Sequence, residues 1–177
     1  MGAGILPTCI INDEIYFLFG KERNTDENPG WSDFGGGKGD NESYLETAIR
    51  ECSEEICGFL GTKTDIKQML IKNGYTNIFI PDTKNKSKGY KVFITPIKYN
   101  PFLELYFNNH QKFIHANLDK KIIKSSTLFE KTKIKWFSFE DIKKNKKTFR
   151  NFYQKIVNIL LDNKEDISID IQKLISK

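Results

Sequence analysis

Short apolar runs separated by polar or glycine-containing segments predict β-strands in both halves of the chain. Two of them lie in GILPTCIINDEIYFLFGKER, on either side of Asn12-Asp13, a residue pair typical of a two-residue hairpin turn. NTDENPGWSD then has the composition of a polar loop, with Pro29-Gly30 as its strongest loop signal. Three further strands are predicted in TNIFIP, YKVFITPIKY and KIKWFSF.

Helical spacing of apolar residues predicts a helix over 43–56. Ser43 and Glu46 have the spacing of a capping box at its start, and Gly58 and Gly61 are expected to end it. The apolar face consists of Leu45, Ala48, Ile49, Cys52 and Ile56.

A late helix is predicted in TFRNFYQKIVNILLDN, with Phe149 and Phe152 on its core side. EDIKK indicates a short helix, and PFLELYFNNHQKFI is compatible with one in the ambiguous region 101–128. The tail from about residue 164 is expected to form a peripheral helix or to fray. The order of strands, helix, strands and helix predicts an α+β fold.

Composition restricts the class of protein. A chain of 177 residues with 38% hydrophobic residues is expected to form one soluble globular domain, residues 1–177. No apolar run reaches the roughly 18 residues of a membrane span, and no secretory signal is recognisable, so no membrane partner is expected. Cys9, Cys52 and Cys57 lack metal-ligand spacing, which indicates reduced thiols and a cytoplasmic location. The oligomeric state is left open.

The net charge of +5 conceals an uneven distribution. Residues 1–62 carry four cations and 12 acids, whereas residues 63–177 carry 24 cations and 11 acids. A basic half can attract a polyanion such as RNA, so RNA is a possible partner. The chain is also rich in Lys, Asn and Ile, which indicates compositional bias, and the lysines show no clear aromatic interleaving of the kind found in single-strand grooves.

The 43–56 helix carries an unusual concentration of acids. No lysine occurs between Lys38 and Lys63, and Glu54 and Glu55 follow Glu51 by three and four residues. Like charges at this spacing cost roughly 0.2–0.5 kcal/mol per pair, and we expect them on the exposed helix face. Clustered carboxylates are ligands for a hard cation such as Mg²⁺. The preceding glycines allow close backbone approach and unusual dihedral angles, and free N–H groups there favour phosphate.

These residues resemble the Nudix box, G-x5-E-x7-R-E-U-x-E-E-x-G-U, in which U is a bulky aliphatic residue. The matching positions are Gly36, Glu42, Arg50, Glu51, Glu54 and Glu55. The chain departs from the usual pattern at Phe34, in place of proline, at Cys52, and at Cys57-Gly58, where glycine and an aliphatic residue are usual. The resemblance extends over roughly residues 4–160.

The resemblance implies a Nudix-type α/β/α sandwich with a mixed central sheet and hydrolysis of a diphosphate bond with Mg²⁺ or Mn²⁺. The implied metal ligands are the Gly36 carbonyl and the three carboxylates Glu51, Glu54 and Glu55. The implied catalytic residues are Glu51, Glu54 and Arg50. The resemblance does not decide which glutamate is the general base. The expected substrate-binding residues are Arg23, Trp31, Gly35 and Glu42.

The expected substrate is a small phosphorylated molecule, a nucleoside diphosphate derivative. Capped mRNA and diphosphoinositol polyphosphates are alternative substrates. The alternative to an enzyme is a non-catalytic nucleotide-binding module with the same fold. Glu130 is a weaker candidate for an additional acid. His110 and His115 lack partners at ligand spacing and are expected to be surface or core residues.

Overall fold

The computed structural model describes residues 1–23 and 29–176. Half of the predicted polar loop NTDENPGWSD, namely residues 24–28, therefore lies outside the described residues, and Trp31–Ser32 of the same segment form a short strand rather than a loop. The predicted hairpin is confirmed, since β1 (Gly2–Ile11) pairs with β2 (Glu14–Glu22) in antiparallel register. Asn12 and Asp13 have φ angles of 48° and 63°, the left-handed values that a two-residue hairpin turn requires.

The central sheet is mixed. Its remaining strands are β3 (Trp31–Ser32), β4 (Phe34–Gly37), β5 (Thr76–Pro81), β6 (Gly89–Pro96) and β7 (Lys131–Ser138). β1 pairs in parallel with β6 and antiparallel with β2 and β4, while β7 and β3 both pair with β2. Because β6 occupies one edge of β1, the other edge is shared between β2 and the glycine-rich β4.

Helices cover both faces of the sheet. They are α1 (Tyr44–Glu55), α2 (Lys63–Asn73), α3 (Leu103–Asn117), α4 (Lys120–Ser125), α5 (Phe139–Lys144), α6 (Gln154–Asp162) and α7 (Lys164–Ile175). The first three contribute to one core cluster and the last three to another on the opposite face. The predicted α+β class and the α/β/α sandwich with a mixed central sheet are confirmed.

The two cores differ in composition. The core under α1 is mainly aliphatic, with residues such as Ile49 and Ile66, and it contains the aromatic residues Phe34, Phe93, Phe107 and Trp136. The core under α6 is strongly aromatic, and the rings of Phe19 and Phe149 meet edge to face at 4.9 Å between centroids.

Several helices differ from the sequence prediction. α2 was not anticipated, because only Ile66 and Leu70 of its residues are buried and the apolar pattern is therefore sparse. α6 begins only at Gln154, so Phe149 and Phe152 precede it. Phe149 is buried as expected, but the assignment of Phe152 to the core is wrong, since 41% of its surface is exposed.

The tail forms α7 rather than fraying. Ile167 and Ile171 are buried in the core beneath α6, so this helix belongs to the sandwich. None of the helices in the described part of the chain is both long and apolar enough to cross a membrane.

Candidate functional site

The start of α1 determines which turn carries the acids. The Ser43 hydroxyl accepts a hydrogen bond from the Glu46 N–H at 3.2 Å, and the Glu46 carboxylate accepts one from the Ser43 N–H at 2.8 Å. This capping box begins the helix and confirms the sequence prediction. Glu51, Glu54 and Glu55 consequently fall in its last turns, where α1 packs on β1 and β4.

Arg50 connects the glycine-rich segment to the acidic helix. Its guanidinium donates to both Glu42 carboxylate oxygens at 2.8 and 3.0 Å, to Glu51 Oε1 at 2.7 Å and to the Gly37 carbonyl at 3.0 Å. The Arg50 hydrogen bonds, followed by that from the Gly39 N–H, lower the pKa of Glu42 to about 2. Burial raises the pKa of Glu51, and Arg50 opposes that shift. The arginine thus orients two carboxylates at once.

Gly36 allows β4 to lie directly against the Glu51 carboxylate. A Cβ atom at position 36 would lie 2.6 Å from the Glu51 Cδ, within the distance at which atoms collide. Its backbone is not among the glycines with positive φ. The expectation of an unusual dihedral angle at Gly36 is therefore wrong, and close approach is the reason for glycine here.

Glu55 lies in a different environment from Glu54. Only 2% of its surface is exposed, so its expected place on the solvated face of α1 is wrong. Consecutive helix residues are about 100° apart, and this rotation turns Glu55 towards the sheet. There its Oε1 lies 3.3 Å from the Nζ of the fully buried Lys131. Burial raises the pKa of Glu55 well above its usual range.

Lys131 is part of a buried ion-pair network that also contains Glu22, Glu55 and Arg150. The Lys131 ammonium forms a short ion pair with Glu22 and donates to the Ser32 hydroxyl at 2.8 Å. The Arg150 guanidinium donates to the same Glu22 oxygen at 2.6 Å. Burial alone would lower the pKa of Lys131, but Glu55 and Glu22 outweigh it and raise the pKa.

Sequence reasoning missed this network. Glu22 and Lys131 lie 109 residues apart, and nothing local distinguishes either of them in a chain with many lysines. Arg150 alone offered a signal, because arginine is rare in this lysine-rich sequence.

The carboxylates are suitable metal donors but are not assembled as a metal site. Among the described residues, no group of three or more His, Cys, Asp and Glu side chains is arranged to hold a metal ion. Arg50 engages Glu51, and Lys131 engages Glu55. Within the described part of the chain, the buried Glu55 Oε2 has no hydrogen-bond partner. The Glu54 carboxylate makes longer contacts, 3.8 Å to Arg50 and 3.5 Å to Lys63. These oxygens fit a hard cation.

The expected substrate-binding residues occupy different places. Glu42 is held by Arg50, and Gly35 packs so closely on Gly4 and Tyr90 that a side chain would collide with them. Trp31 is buried, with its ring 5.0 Å from that of Phe137, so the structure does not bring it to the carboxylates. The Arg23 guanidinium donates to the Ile123 carbonyl at 3.0 Å.

The remaining candidates lie at the margins. Glu130 is half-buried, and burial followed by the charge of Glu22 raises its pKa. His110 packs edge to face on Phe59 at 5.6 Å, and His115 is a half-buried residue of α3.

Asp33, just before β4, is fully buried and accepts a hydrogen bond from the Tyr90 hydroxyl at 2.9 Å. Burial raises the pKa of Asp33 to about 7, despite the opposing charge of Lys131. An unfolded aspartate titrates near pH 3.9, so between about pH 4 and 7 the folded state binds more protons than the unfolded state. The contribution of this proton to the free energy of unfolding is fully present below about pH 4 and is lost as the pH rises through 7.

Asp33→Asn should therefore remove one component of the pH dependence. The free energy of unfolding of the wild type, minus that of the variant, should fall by up to about 4 kcal/mol between pH 4 and pH 8. Urea unfolding at four or five pH values measures this difference. Parallel pH profiles for the two proteins would contradict the assignment.

Comparison with known proteins places this geometry in a fold family. No protein-family model and no curated protein matches the chain. A bifunctional NMN adenylyltransferase/ADP ribose pyrophosphatase from Francisella tularensis, complexed with AMP and a Mn ion, matches at 18% identity and a TM-score of 0.52. The match covers 91% of this chain and 41% of that one. The chain has the Nudix fold. It spans about two-fifths of the length of the bifunctional protein.

Other solved structures match at lower TM-scores. A C. elegans Ap4A hydrolase has 17% identity and a TM-score of 0.48, with 81% of this chain and 84% of that chain covered. A Nudix hydrolase from M. smegmatis has 10% identity and a TM-score of 0.44, covering 81% and 73%. At 18% identity the likeness to the Francisella tularensis protein shows the fold alone, and the function has to be argued from the residues of the site.

Proposed function

We propose that the chain is a divalent-metal-dependent pyrophosphohydrolase that cleaves a diphosphate bond in a nucleoside diphosphate derivative. The observation that carries the proposal is the Arg50 arrangement, which orients Glu42 and Glu51 beside the glycine strand. A lone binding module has no evident need for an arginine that collects like-charged carboxylates, since unneutralised acids repel an anionic ligand.

Glu51, Glu54, Glu55 and the Gly36 carbonyl would hold Mg²⁺ or Mn²⁺. When bound, the metal neutralises charge that develops on the phosphates and lowers the pKa of its bound water. Arg50 keeps Glu51 in position through its 2.7 Å hydrogen bond.

A substrate screen with metal removal tests the proposal. The purified chain is incubated with ADP-ribose, Ap4A, a diphosphoinositol polyphosphate and capped RNA, each with Mg²⁺, with Mn²⁺ and with EDTA, and the products are identified. ADP-ribose and Ap4A are chosen because similar folds occur in an ADP ribose pyrophosphatase and an Ap4A hydrolase. We expect nucleotide cleavage that stops with EDTA and returns with metal. Cleavage that survives chelation would overturn the metal requirement, and nucleotide binding without cleavage would favour the binding module.

Gly36→Ala should reduce nucleotide cleavage by at least about tenfold, because its Cβ would displace the Glu51 carboxylate. The change in Tm should be small, because the atoms that this Cβ would meet are the end of the Glu51 side chain, which can shift. Gly37→Ala is the control for stability alone, since a Cβ there meets no atom within 4 Å and its φ is not positive. Thermal unfolding compares the two variants, and steady-state rates compare Gly36→Ala with the wild type. Wild-type turnover of Gly36→Ala would show that close approach at Gly36 is unimportant.

Capped RNA is a second candidate substrate because of one surface. Phe102, Tyr106 and Phe113 on or next to α3 are each more than half exposed, and the first two rings stack at 5.7 Å. Lys112, also on α3, and Lys133 line a groove of about 440 Å³. Exposed rings and a cation on one helix are the combination that single-strand sites use.

Competition by uncapped RNA against a nucleotide substrate tests this candidate. If RNA binds here, its inhibition should fade as salt rises, with a slope near −0.7 per phosphate contact. No inhibition at low salt would remove RNA from consideration.

A further inference from the structure

An open cleft of about 520 Å³ lies on the face of β4 opposite to Glu51. Successive strand residues point to opposite faces, so Gly36 faces Glu51 while Gly35 faces Tyr90. The cleft is within the size range of small-molecule sites. We name it the Arg150 cleft; its walls include Gly35, Gly37, Tyr90, Arg150, Phe152 and Lys155.

Phe152 presents an exposed aromatic ring to this cleft. Its neighbours Phe149 and Tyr153 are buried in the core, and this anchoring leaves Phe152 directed outwards with 41% of its surface exposed. The ring meets Tyr90 edge to face at 5.7 Å, and the Arg150 guanidinium lies 5.0 Å from its centroid. A large apolar ring held by two neighbours is a suitable surface for stacking a planar ligand group.

Two cations accompany this ring. The Arg150 guanidinium is oriented by its 2.6 Å hydrogen bond to the buried Glu22, and its main-chain N–H donates to the Trp31 carbonyl at 3.1 Å. Lys155, on the first turn of α6, is exposed and is the second cation. Asp82 is the acidic residue among the described residues that line the cleft. Its carboxylate accepts hydrogen bonds from the Lys84 and Asn85 N–H groups. With two cations, and with its acid held by backbone hydrogen bonds, the cleft is suited to bind one anionic group of a ligand.

Gly37 belongs both to the wall of the cleft and to the hydrogen-bond network of Arg50. A Cβ at Gly37 would meet open space, and the Gly37 carbonyl accepts from Arg50. A diphosphate lying over Gly37 would thus have one end in the cleft and the other at the acids of α1.

We propose that the Arg150 cleft binds the nucleoside monophosphate portion of the substrate, with Phe152 stacking on the base and Arg150 and Lys155 contacting its phosphate. This assignment rests on the proposed hydrolase function for its placement of the scissile bond. It selects nucleotides over diphosphoinositol polyphosphates, because an inositol ring has no flat face to stack and its many phosphates require more than two cations.

The test separates base recognition from catalysis. AMP and ribose 5-phosphate are titrated calorimetrically into the protein in EDTA, and kcat and KM are measured for ADP-ribose with metal. The variants are Phe152→Ala, Phe152→Leu and Arg150→Lys. The matched control is Tyr75→Ala, which removes a ring of similar exposure that packs on Phe93 in the other core.

The wild type should bind AMP on the order of 10- to 100-fold more tightly than ribose 5-phosphate, the range that base stacking supplies. Phe152→Ala and Phe152→Leu should lose this preference and raise KM by a similar factor, with kcat nearly unchanged, because the lost contact is present in both the bound and the transition state. Arg150→Lys should weaken both ligands, since lysine lacks the planar donor fork. Tyr75→Ala should behave as the wild type, and melting curves check that every variant folds.

The outcomes separate the two proposals. If cleavage occurs but the Phe152 variants match Tyr75→Ala, or if the wild type binds AMP and ribose 5-phosphate equally, the cleft assignment is overturned and the hydrolase stands. If no substrate is cleaved but AMP binds in a Phe152-dependent manner, the cleft assignment stands and the hydrolase proposal fails.

Discussion

Glu54→Gln should lower kcat for the nucleotide substrate by roughly 10²–10⁴, the range for loss of an acid-base group, while leaving Tm nearly unchanged. Glu54 is chosen because its side chain is 21% exposed and its ion-pair contacts with Arg50 and Lys63 are 3.8 and 3.5 Å long. Surface pairs of this kind contribute about 0–1 kcal/mol. The substitution therefore removes a proposed metal-ligand charge without disturbing the core.

Glu46→Gln is the matched control for this experiment. It makes the same change of charge on the same helix, and glutamine can retain the capping box with Ser43. Rates at saturating substrate, metal titrations and melting curves are measured for both variants. Glu54→Gln turnover within a few-fold of that of Glu46→Gln would exclude a catalytic or metal-binding role for Glu54. Glu55→Gln is a poorer test, since it also alters the buried ion-pair network.

Lys131→Met should destabilise the fold by about 3–5 kcal/mol, because it leaves Glu22 and Glu55 buried without their shared cation. Methionine has a similar length and removes the charge with little change in packing. Urea unfolding near neutral pH measures the loss from midpoint and slope. Lys133→Met, an exposed position two residues along the same strand, is the matched control and should change stability little.

A double variant keeps this prediction informative if Lys131→Met is too unstable to purify. In Lys131→Met the Glu22 carboxylate keeps its ion pair with Arg150, whereas Glu55 loses its cation. Adding Glu55→Gln removes the charge of Glu55 and should recover part of the lost stability, and the non-additivity measures the coupling between Lys131 and Glu55. A loss below about 1 kcal/mol for Lys131→Met, or no recovery in the double variant, would mean that the pair contributes little to the folded state.

The sequence by itself determined the features that depend on local interactions. The hairpin at Asn12-Asp13 follows from a turn that these residues tolerate, and the start of α1 follows from a capping box formed within three residues. The spacing of Gly36, Arg50 and Glu51 was also readable, because the arginine and the carboxylate share one helix. Local periodicity failed for α2, whose buried positions are too few to produce a clear pattern.

Only the tertiary structure decided which acids are solvated and where a substrate could bind. Glu55 is buried because β7 brings Lys131 against α1, and Lys131 also meets Glu22 from a point 109 residues earlier in the chain. Phe152 continues an apolar pattern in the sequence, but α6 starts two residues later. The Phe152 ring therefore lies outside the helix and lines the Arg150 cleft. Such pairings depend on how strands and helices pack across the sheet, and packing partners far apart in sequence leave no local pattern from which to predict them.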